Sequence, residues 1–351
     1  MSKFWTQAVN EAEPYIPGEQ VNRQNLLKLN TNENPYPPSP RVLSAIREET
    51  GDRLRLYPSP TMDSLRHTIG ERFGLSQEHV FVGNGSDEVL AFSFMAFFER
   101  GSTIKYPSIT YSFYPVYANL FNVLVDEVEL EANFSIDPTQ FFDAPGGVIF
   151  PNPNAPTSIY LPLDAIELIV KNNPNNVVIV DEAYVDFATE SAASLIDKYG
   201  NLLIIQTFSK SRSLAGLRVG FALGQPHLIE ALIRMKDSFN SYPVDRLALA
   251  GAEAAIKDEP YFTETTTKII STREWTIQEL HVLGFEVLPS QANFVFTKHA
   301  QYDGKYLYEQ LKEADILVRH FNTDLLNQFL RITIGTDIEM ERLINFLKEL
   351  E

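Results

Sequence analysis

The sequence predicts an α/β protein built on a mainly parallel sheet, and three observations support that class. Short, continuously apolar runs rich in β-branched residues recur between about residues 80 and 240, separated by stretches of helical periodicity. Such strands are buried on both faces, as in a parallel sheet covered by helices. The chain has 351 residues, which is too long for one small module, and 44% of them are apolar, which is ordinary for a globular protein with a sizeable core. We therefore expect one large α/β domain and a second, smaller one.

The first part of the chain, residues 1–35, is predicted to be an extended arm. It is rich in proline, asparagine and other polar residues, a composition typical of irregular segments. We expect this arm to pack on the smaller domain or on a partner subunit. The first helix is predicted just after it, where Ser39 supplies an N-cap and Pro40 the first helical position.

The large domain is predicted over residues 36–245 and the small one over residues 246–351. In the large domain the strand candidates are residues 80–82, 148–150, 177–180, 202–205 and 219–221. In the smaller domain the periodicity is mostly helical, with strand candidates at residues 294–296 and 330–334. This pattern favours an α+β arrangement for the C-terminal part.

The charge balance argues against a nucleic-acid or membrane-surface partner. The chain carries 29 basic and 46 acidic side chains, a formal net charge of −17. A protein of that charge repels polyanions. An anionic substrate would therefore need a local basic pocket.

The absence of cysteine excludes several kinds of site. With no cysteine in the sequence, disulfides, cysteine-ligated zinc, iron–sulfur clusters and thiol nucleophiles are ruled out. The six histidines show no metal-ligand spacing, so no metal site is expected.

No cationic-then-apolar leader opens the chain, and the longest apolar stretch, about residues 89–98, is half of what spans a bilayer. The cytoplasm is the expected location.

Candidate chemistry follows two neighbouring strand candidates. Asp181-Glu182-Ala183-Tyr184 comes directly after one, and Ser209-Lys210 follows the next, 29 residues beyond Asp181. That spacing is about one βαβ unit, and ligands of open α/β sheets lie beyond the carboxyl ends of the strands. The aspartate and the lysine could form a structural salt bridge or share an active site.

A phosphate cradle is the third feature. Gly85, Ser86 and Asp87 follow a short strand and open an apolar helix, where free amide groups and the helix dipole favour an anion. A glycine turn alone is more often plain turn chemistry, and neither P-loop nor dinucleotide-binding spacing is present. Ser209 and Arg218, which flank the lysine, add further phosphate donors.

A reactive lysine, a carboxylate for a ring nitrogen and a phosphate cradle are together what pyridoxal 5'-phosphate requires. Residues 209–221 resemble the lysine segment of fold-type I aminotransferases, and residues 181–184 match that family's aspartate–tyrosine motif. Residues 15–18, 29–35 and 330–336 resemble the terminal motifs of the histidinol-phosphate aminotransferases. The resemblance covers nearly the whole chain and implies a fold-type I architecture.

The resemblance also implies roles around the cofactor ring. Lys210 would hold the cofactor as a Schiff base and then carry the proton between the substrate and the cofactor. Asp181 would keep the ring nitrogen protonated, and Tyr184 would donate to the phenolic oxygen. Tyr111 would stack on the ring, although taken alone it could equally be a core or surface tyrosine.

Further roles concern the cofactor phosphate and the substrate. The phosphate contacts implied are Gly85, Ser86, Thr207, Ser209 and Arg218, and Asp87 is a further cofactor-binding residue. Tyr57 would reach the phosphate of the other subunit, which implies a homodimer with shared sites, although it too could be a surface tyrosine. The substrate contacts implied are Arg331 at the carboxylate or equivalent end, Arg319 as a second anion contact, and Asn32. Because Arg331 alternates with isoleucines, a solvent-facing strand charge is the competing interpretation.

One motif departs from the family pattern. The family commonly has Asn-Asn-Pro-Thr-Gly after the strand that ends here at Phe150, and its second asparagine contacts the phenolic oxygen. A direct alignment places Ala155 at that position. Either Asn154 takes over the contact, or the hydrogen bond is missing.

The implied activity is transamination from histidinol phosphate to 2-oxoglutarate by a ping-pong mechanism, yielding imidazole acetol phosphate and glutamate in histidine biosynthesis. The alternatives on the same scaffold are an aromatic amino-acid aminotransferase and a phosphate-amine decarboxylase. A cofactor-binding regulatory module is a third alternative, but it would need a basic DNA-binding segment, which this acidic sequence lacks.

Overall fold

A computed structural model describes residues 2–15, 18–19, 23 and 25–350. The strands in this part of the chain are β1 (Leu27–Lys28), β2 (Val80–Asn84), β3 (Thr103–Pro107), β4 (Leu124–Val128), β5 (Val148–Pro151), β6 (Val178–Asp181), β7 (Leu202–Thr207), β8 (Val219–Gly224), β9 (Phe285–Val287), β10 (Phe294–His299), β11 (Ile316–Leu317), β12 (Arg319–His320) and β13 (Leu330–Thr333). The α-helices are α1 (Gln7–Glu11), α2 (Pro40–Glu49), α3 (Asp63–Phe73), α4 (Gly85–Phe97), α5 (Phe113–Phe121), α6 (Leu163–Lys171), α7 (Pro226–Phe239), α8 (Arg246–Lys257), α9 (Glu259–Val282), α10 (Gly304–Glu313) and α11 (Asp337–Glu349). No helix in these described ranges is long and apolar enough to cross a membrane.

The central sheet has seven strands in the order β2-β8-β7-β6-β5-β3-β4. The strands from β4 to β7 pair in parallel, and β8 runs antiparallel to both of its neighbours. The predicted mainly parallel α/β sheet is confirmed. The carboxyl ends of β2, β3, β5, β6 and β7 therefore meet at one edge, where β8 begins.

Both faces of this sheet are buried, which explains the continuous apolar runs. In β6 the side chains of Val178 and Val180 pack into one core, and that of Ile179 packs into a second core on the other face. The same alternation holds along β7, from Leu202 to Ile205. Helices cover both faces, so a polar residue inside these strands needs a buried hydrogen-bond partner, which Gln206 of β7 finds in Glu182.

A smaller antiparallel sheet, in the order β12-β13-β10-β9, lies in the C-terminal part. It shares a third core with α9, α10 and α11. Strand β1 of the arm pairs in parallel with β11, with Leu27 opposite Ile316. Leu27 and Leu29 are buried in that third core, so this part of the arm packs on the C-terminal elements.

The sequence predicted an extended arm, but the arm contains a short helix, α1. Helix α1 forms within it because the Thr6 side chain caps the helix by accepting a hydrogen bond from the Val9 amide. Of the arm motif at residues 15–18, Ile16 and Pro17 lie outside the described residues. Beyond the arm, the predicted helix start holds: Ser39 Oγ accepts from the Val42 amide at 3.2 Å.

The predicted domain division at residue 245 stays a prediction. Helix α8, which that division assigns to the smaller domain, buries Ala248 and Ala252 in the same core as Val42 of α2. The connection between the two sheets continues through α9, which begins at Glu259.

Candidate active site

A cavity of about 850 Å³ lies at the carboxyl edge of the central sheet. Its lining comes from both sheets and from the arm, so it collects residues that are far apart in sequence. The predicted site residues that line it are Asn32, Ser86, Asp87, Tyr111, Asp181, Tyr184, Thr207, Ser209, Lys210, Arg218, Arg319 and Arg331.

Lys210 follows the end of β7 and presents its amine to the cavity. Its Nζ donates to the Thr31 carbonyl oxygen at 3.2 Å and lies 5.7 Å from the centre of the Tyr184 ring. The side-chain amide of Asn34 donates to the Lys210 carbonyl at 2.9 Å, which fixes the backbone. No carboxylate of the described residues forms an ion pair with this amine, so the salt-bridge interpretation of Asp181 and Lys210 is wrong.

Asp181 ends β6 and is only 4% exposed. The Tyr114 hydroxyl donates to its Oδ2 at 3.0 Å, and the Ala183 amide donates to its Oδ1 at 3.3 Å. Burial raises the pKa of Asp181 to about 6, while both hydrogen bonds act in the opposite direction. Among nearby charges, Asp87 raises this pKa and Lys210 lowers it.

Asn32 ties the arm to two other parts of the site. Its side-chain amide donates to the Tyr184 hydroxyl at 3.0 Å, and its Oδ1 accepts from Thr333 Oγ1 at 3.1 Å. Its backbone has a φ of 55°, a left-handed conformation that asparagine tolerates better than most residues. Asn32 therefore fixes the Tyr184 hydroxyl relative to β13.

One end of the cavity carries a concentration of hydroxyl groups and one guanidinium. Thr207 Oγ1 donates to Ser209 Oγ at 3.0 Å and accepts from the Ser209 amide at 3.1 Å. Arg218 contacts Asp87 Oδ2 at 2.8 Å. Gly85 does not line the cavity, but it opens α4 with a φ of 79°, and a Cβ there would lie 2.5 Å from Arg218 Nη2. The missing side chain lets the guanidinium lie against the helix start.

Tyr111 lies on the cavity wall and is held at its hydroxyl. Its Oη donates to Asp87 Oδ1 at 3.0 Å, and its ring meets that of Tyr114 edge-on with centres 5.7 Å apart. Burial and Asp87 raise the pKa of the Tyr111 phenol well above its usual value. This tyrosine presents a fixed aromatic ring to the cavity, so it is neither a core residue nor a free surface residue.

Two arginines face the cavity from opposite positions on adjacent strands. Arg319 of β12 pairs with Arg331 of β13 in the antiparallel register. Like charges placed opposite each other are unfavourable, and no described carboxylate forms an ion pair with either. Arg331 Nη2 donates to the Asn30 carbonyl at 3.0 Å, while its Nε is buried with no described hydrogen-bond partner. Burial, and then Arg319, lowers the pKa of Arg331. The expectation of a solvent-facing Arg331 is wrong, and the pair is suited to an anion.

Besides Gly85, two predicted residues, Asn154 and Tyr57, do not line this cavity. Both hydrogens of the Asn154 side-chain amide are taken, one by the Ile109 carbonyl and the other by Thr157 Oγ1, each at 3.0 Å. Ala155 lines the cavity in its place. The idea that Asn154 takes over the family's contact is therefore not supported. Tyr57 is 78% exposed and stacks on Tyr242, with ring centres 4.6 Å apart.

Sequence reasoning missed Tyr114, which touches the Asp181 carboxylate. The available signal was its position three residues after Tyr111, which keeps the two tyrosines close although Tyr111 precedes α5. It also missed the Thr31 carbonyl, the hydrogen-bond partner of Lys210, for which a sequence carries no signal. Within the described ranges, no group of three or more His, Asp or Glu side chains is arranged to hold a metal ion.

Comparisons with known proteins identify the family of the chain. The family model for aminotransferase class I and II matches residues 24–347. The chain is 59% identical to histidinol-phosphate aminotransferase 1 of Oceanobacillus iheyensis, over 98% of this chain and 97% of that protein. It is 56% identical to histidinol-phosphate aminotransferase 2 of Dechloromonas aromatica, over 100% and 99%. The crystal structure of histidinol-phosphate aminotransferase from Sinorhizobium meliloti in complex with pyridoxal-5'-phosphate superposes with a TM-score of 0.89 at 26% identity, over 100% of this chain and 99% of that one. A family model that matches most of the chain, and relatives of more than 50% identity over its full length, show that the chain belongs to the class I and II aminotransferase family.

Proposed function

We propose that this protein transfers the amino group of histidinol phosphate to 2-oxoglutarate, giving imidazole acetol phosphate and glutamate, with pyridoxal 5'-phosphate as cofactor. The observation that carries the proposal is the opposed pair Arg319 and Arg331, which lacks a described carboxylate partner and shares a cavity with Lys210 and Asp181. The names of the relatives at 59% and 56% identity point to the same substrate.

The cavity has the groups that the cofactor needs. A phosphate fits the end where Gly85 leaves room for Arg218 and where Thr207 and Ser209 offer hydroxyls. Ser86 lies in the first turn of α4, where the free backbone amide groups of a helix start can bind an anion. At the other side of the ring, the buried Asp181 carboxylate suits a protonated ring nitrogen.

When bound, the cofactor supplies a protonated ring that withdraws the electron pair left at the substrate Cα when that carbon loses its proton. The Lys210 amine moves this proton, since it is the one lysine among the described residues that line the cavity, and an amine, unlike a guanidinium, can give up its proton. Among the described residues its hydrogen-bond partner is the Thr31 backbone carbonyl, a contact that uses one N–H and leaves the nitrogen lone pair accessible when the amine is neutral.

Asp181 holds the proton on the ring nitrogen. Burial is the main cause that raises the pKa of this carboxyl to about 6, and a cationic ring beside it would favour the ionised form. Tyr184, fixed by Asn32, donates to the phenolic oxygen. Tyr111, fixed by Asp87, supports the ring face.

The arginine pair binds the anionic end of each substrate in turn. A ping-pong reaction requires one cavity to accept a phosphate monoester and a dicarboxylate alternately. Two adjacent guanidiniums can each offer a planar pair of donors to either kind of anion. A phosphate monoester carries more negative charge than a single carboxylate, so its binding is strengthened more by the two guanidinium groups.

We also propose a homodimer in which Tyr57 reaches the cofactor phosphate of the other subunit. Its exposure and its stacking on Tyr242 support a tyrosine presented outward. Leu54 and Leu56, close to Tyr57 in the chain, and Phe239, close to Tyr242, are exposed as well, and exposed apolar groups near one another are typical of an interface. The protein is proposed to act in the cytoplasm, since a phosphorylated substrate does not cross a membrane unaided.

A half-reaction assay tests the substrate. The holoenzyme is mixed with histidinol phosphate, histidinol, phenylalanine or tyrosine, and the change in cofactor absorbance is followed. Histidinol phosphate should be preferred over histidinol by at least about 100-fold, because the alcohol leaves buried charges unpaired. Arg331→Ala should remove most of that preference, whereas Arg234→Ala, in an exposed pair with Glu230, should keep it. Equal efficiency with both amines, together with high activity on phenylalanine or tyrosine, would favour an aromatic aminotransferase instead.

A further inference from the structure

We propose that Tyr114 is a positioning residue that keeps the Asp181 carboxylate ionised and aimed at the cavity. The proposal rests on the proposed function, in which Asp181 faces the cofactor ring nitrogen. Tyr114 does not line the cavity, so its effect on the site would pass through the aspartate that its hydroxyl contacts.

The packing of the Tyr114 ring directs its hydroxyl toward the Asp181 carboxylate. The residue lies in the first turn of α5 and is fully buried, with its ring against those of Tyr106 and Tyr111. Its hydroxyl is 3.0 Å from Asp181 Oδ2, and the Ala183 amide holds Oδ1. With one oxygen fixed by the backbone and the other by Tyr114, the carboxylate cannot rotate without breaking a hydrogen bond.

The hydrogen bond also favours charge on a buried group. Burial disfavours the ionised aspartate, and a donor to the ionised form opposes that effect. Burial and Asp181 raise the pKa of the Tyr114 phenol well above its usual value, so the phenol stays protonated. The other titratable groups near this carboxyl are Asp87, Lys210, Tyr111 and Tyr117, and the hydroxyl of Tyr117 is bonded to a backbone carbonyl and not to the carboxylate.

A phenol is suited to this task because it is neutral. A lysine or arginine at position 114 would also keep Asp181 ionised, but its charge would compete with the protonated ring nitrogen for the carboxylate. A neutral donor orients the carboxylate and leaves its negative charge available to the cofactor.

The chain offers a matched control one turn further along α5. Tyr117 is also buried, and its hydroxyl donates to the Asp87 backbone carbonyl at 2.7 Å. Tyr117→Phe therefore removes a buried hydroxyl from the same helix without touching Asp181.

The test measures the dissociation constant of pyridoxal 5'-phosphate from the apoenzyme between pH 5 and 8, by absorbance or fluorescence titration. Affinity should weaken at low pH as Asp181 becomes protonated, and this part of the pH profile is called the acid limb. Tyr114→Phe should move this acid limb upward by about one pH unit, equivalent to about 1.4 kcal/mol, whereas Tyr117→Phe should leave it in place. Ionisations of the cofactor itself are common to all variants and cancel in the comparison. The acid limb of kcat/KM should move in the same direction.

Asp181→Asn separates this inference from the proposed function. If Asp181→Asn binds the cofactor as tightly as the wild type and loses affinity at the same low pH, the proposed role of Asp181 fails. If Asp181→Asn removes the limb but Tyr114→Phe leaves it unmoved, or Tyr117→Phe moves it equally, only the present inference is overturned. In the Asp181→Asn background, Tyr114→Phe should cause no further shift.

A second variant covers the case in which Tyr114→Phe does not fold. Replacing Tyr114 by 3-fluorotyrosine keeps the ring and makes the hydroxyl a stronger donor. The acid limb should then move to lower pH, and an unmoved limb would overturn the proposal.

Discussion

In the proposed mechanism the Lys210 amine moves the proton of the substrate Cα, while other residues hold the cofactor phosphate and ring. Lys210→Ala should therefore still bind pyridoxal 5'-phosphate through the hydroxyl and guanidinium groups, yet lose turnover by a factor on the order of 10³ or more. Equilibrium binding and single-turnover rates measure the two properties separately. Lys257→Ala, which removes an exposed lysine paired with Glu253, is the control. Wild-type turnover in Lys210→Ala would overturn the mechanism.

The loop around Ala155 gives a second prediction for single residues. A donor to the cofactor's phenolic oxygen stabilises its more negative form and lowers the pH at which the absorbance of the bound cofactor changes. Since Ala155 lines the cavity and Asn154 spends both amide hydrogens elsewhere, Ala155→Asn should lower that midpoint, by up to about one unit. Asn154→Ala should leave it unchanged. The reverse outcome in a spectroscopic titration would mean that Asn154 is the donor.

Sequence reasoning reached the site residues that follow directly after buried strands. Asp181 and Lys210 could be placed together because parallel strands end at one edge. Tyr114 could not, since it contacts a carboxylate 67 positions away in the chain and belongs to an element whose orientation no local pattern specifies. The same applies to the partners of Asn154, which only the folded loop reveals.

At the scale of elements, the contact between β8 and the start of α4 is the tightest point of the cofactor end. Gly220 of β8 pairs with Gly83 of β2, and a Cβ on Gly220 would collide with the backbone of Gly85 and Ser86. Gly220→Ala should therefore displace the start of α4 and weaken cofactor binding by about tenfold or more, in line with an overpacking cost of about 1–3 kcal/mol.

Gly216 provides the matched control for that prediction. A Cβ at this position would meet no atom within 4 Å, so Gly216→Ala should bind the cofactor like the wild type. Equal dissociation constants for the two alanine variants would show that the strand yields without disturbing the helix start.

The elements that sequence analysis predicted are those with a long enough pattern. The strands β5, β6, β7 and β8 were found because burial on both faces makes them continuously apolar. The two-residue strands β1, β11 and β12 are too short to show any periodicity, and helix α1 depends on a single cap at Thr6. Their positions are set by tertiary contacts.

At the scale of the whole molecule, a shared site can be tested by mixing two inactive subunits. If Tyr57 acts across a dimer, Lys210→Ala and Tyr57→Ala subunits produced together should form mixed dimers with one intact site. Random assembly makes half of the dimers mixed, so activity should return to about a quarter of the wild-type value. If Tyr57 served its own subunit, no mixed dimer would contain an intact site and no activity would return.

The opposed arginines also link the stability of the protein to its metabolic setting. Repulsion between Arg319 and Arg331 exists only in the folded chain, and an anion that bridges them binds only the folded chain. By mass action, such a ligand at 100 times its dissociation constant raises the free energy of unfolding by about 2.7 kcal/mol. Phosphate-bearing substrate should raise the melting temperature of the wild type, whereas Arg319→Ala should melt higher without anion and respond less to it. The fold is then most resistant to unfolding, and hence to proteolysis, when its substrate is abundant, so substrate supply would itself help to set how long the enzyme persists.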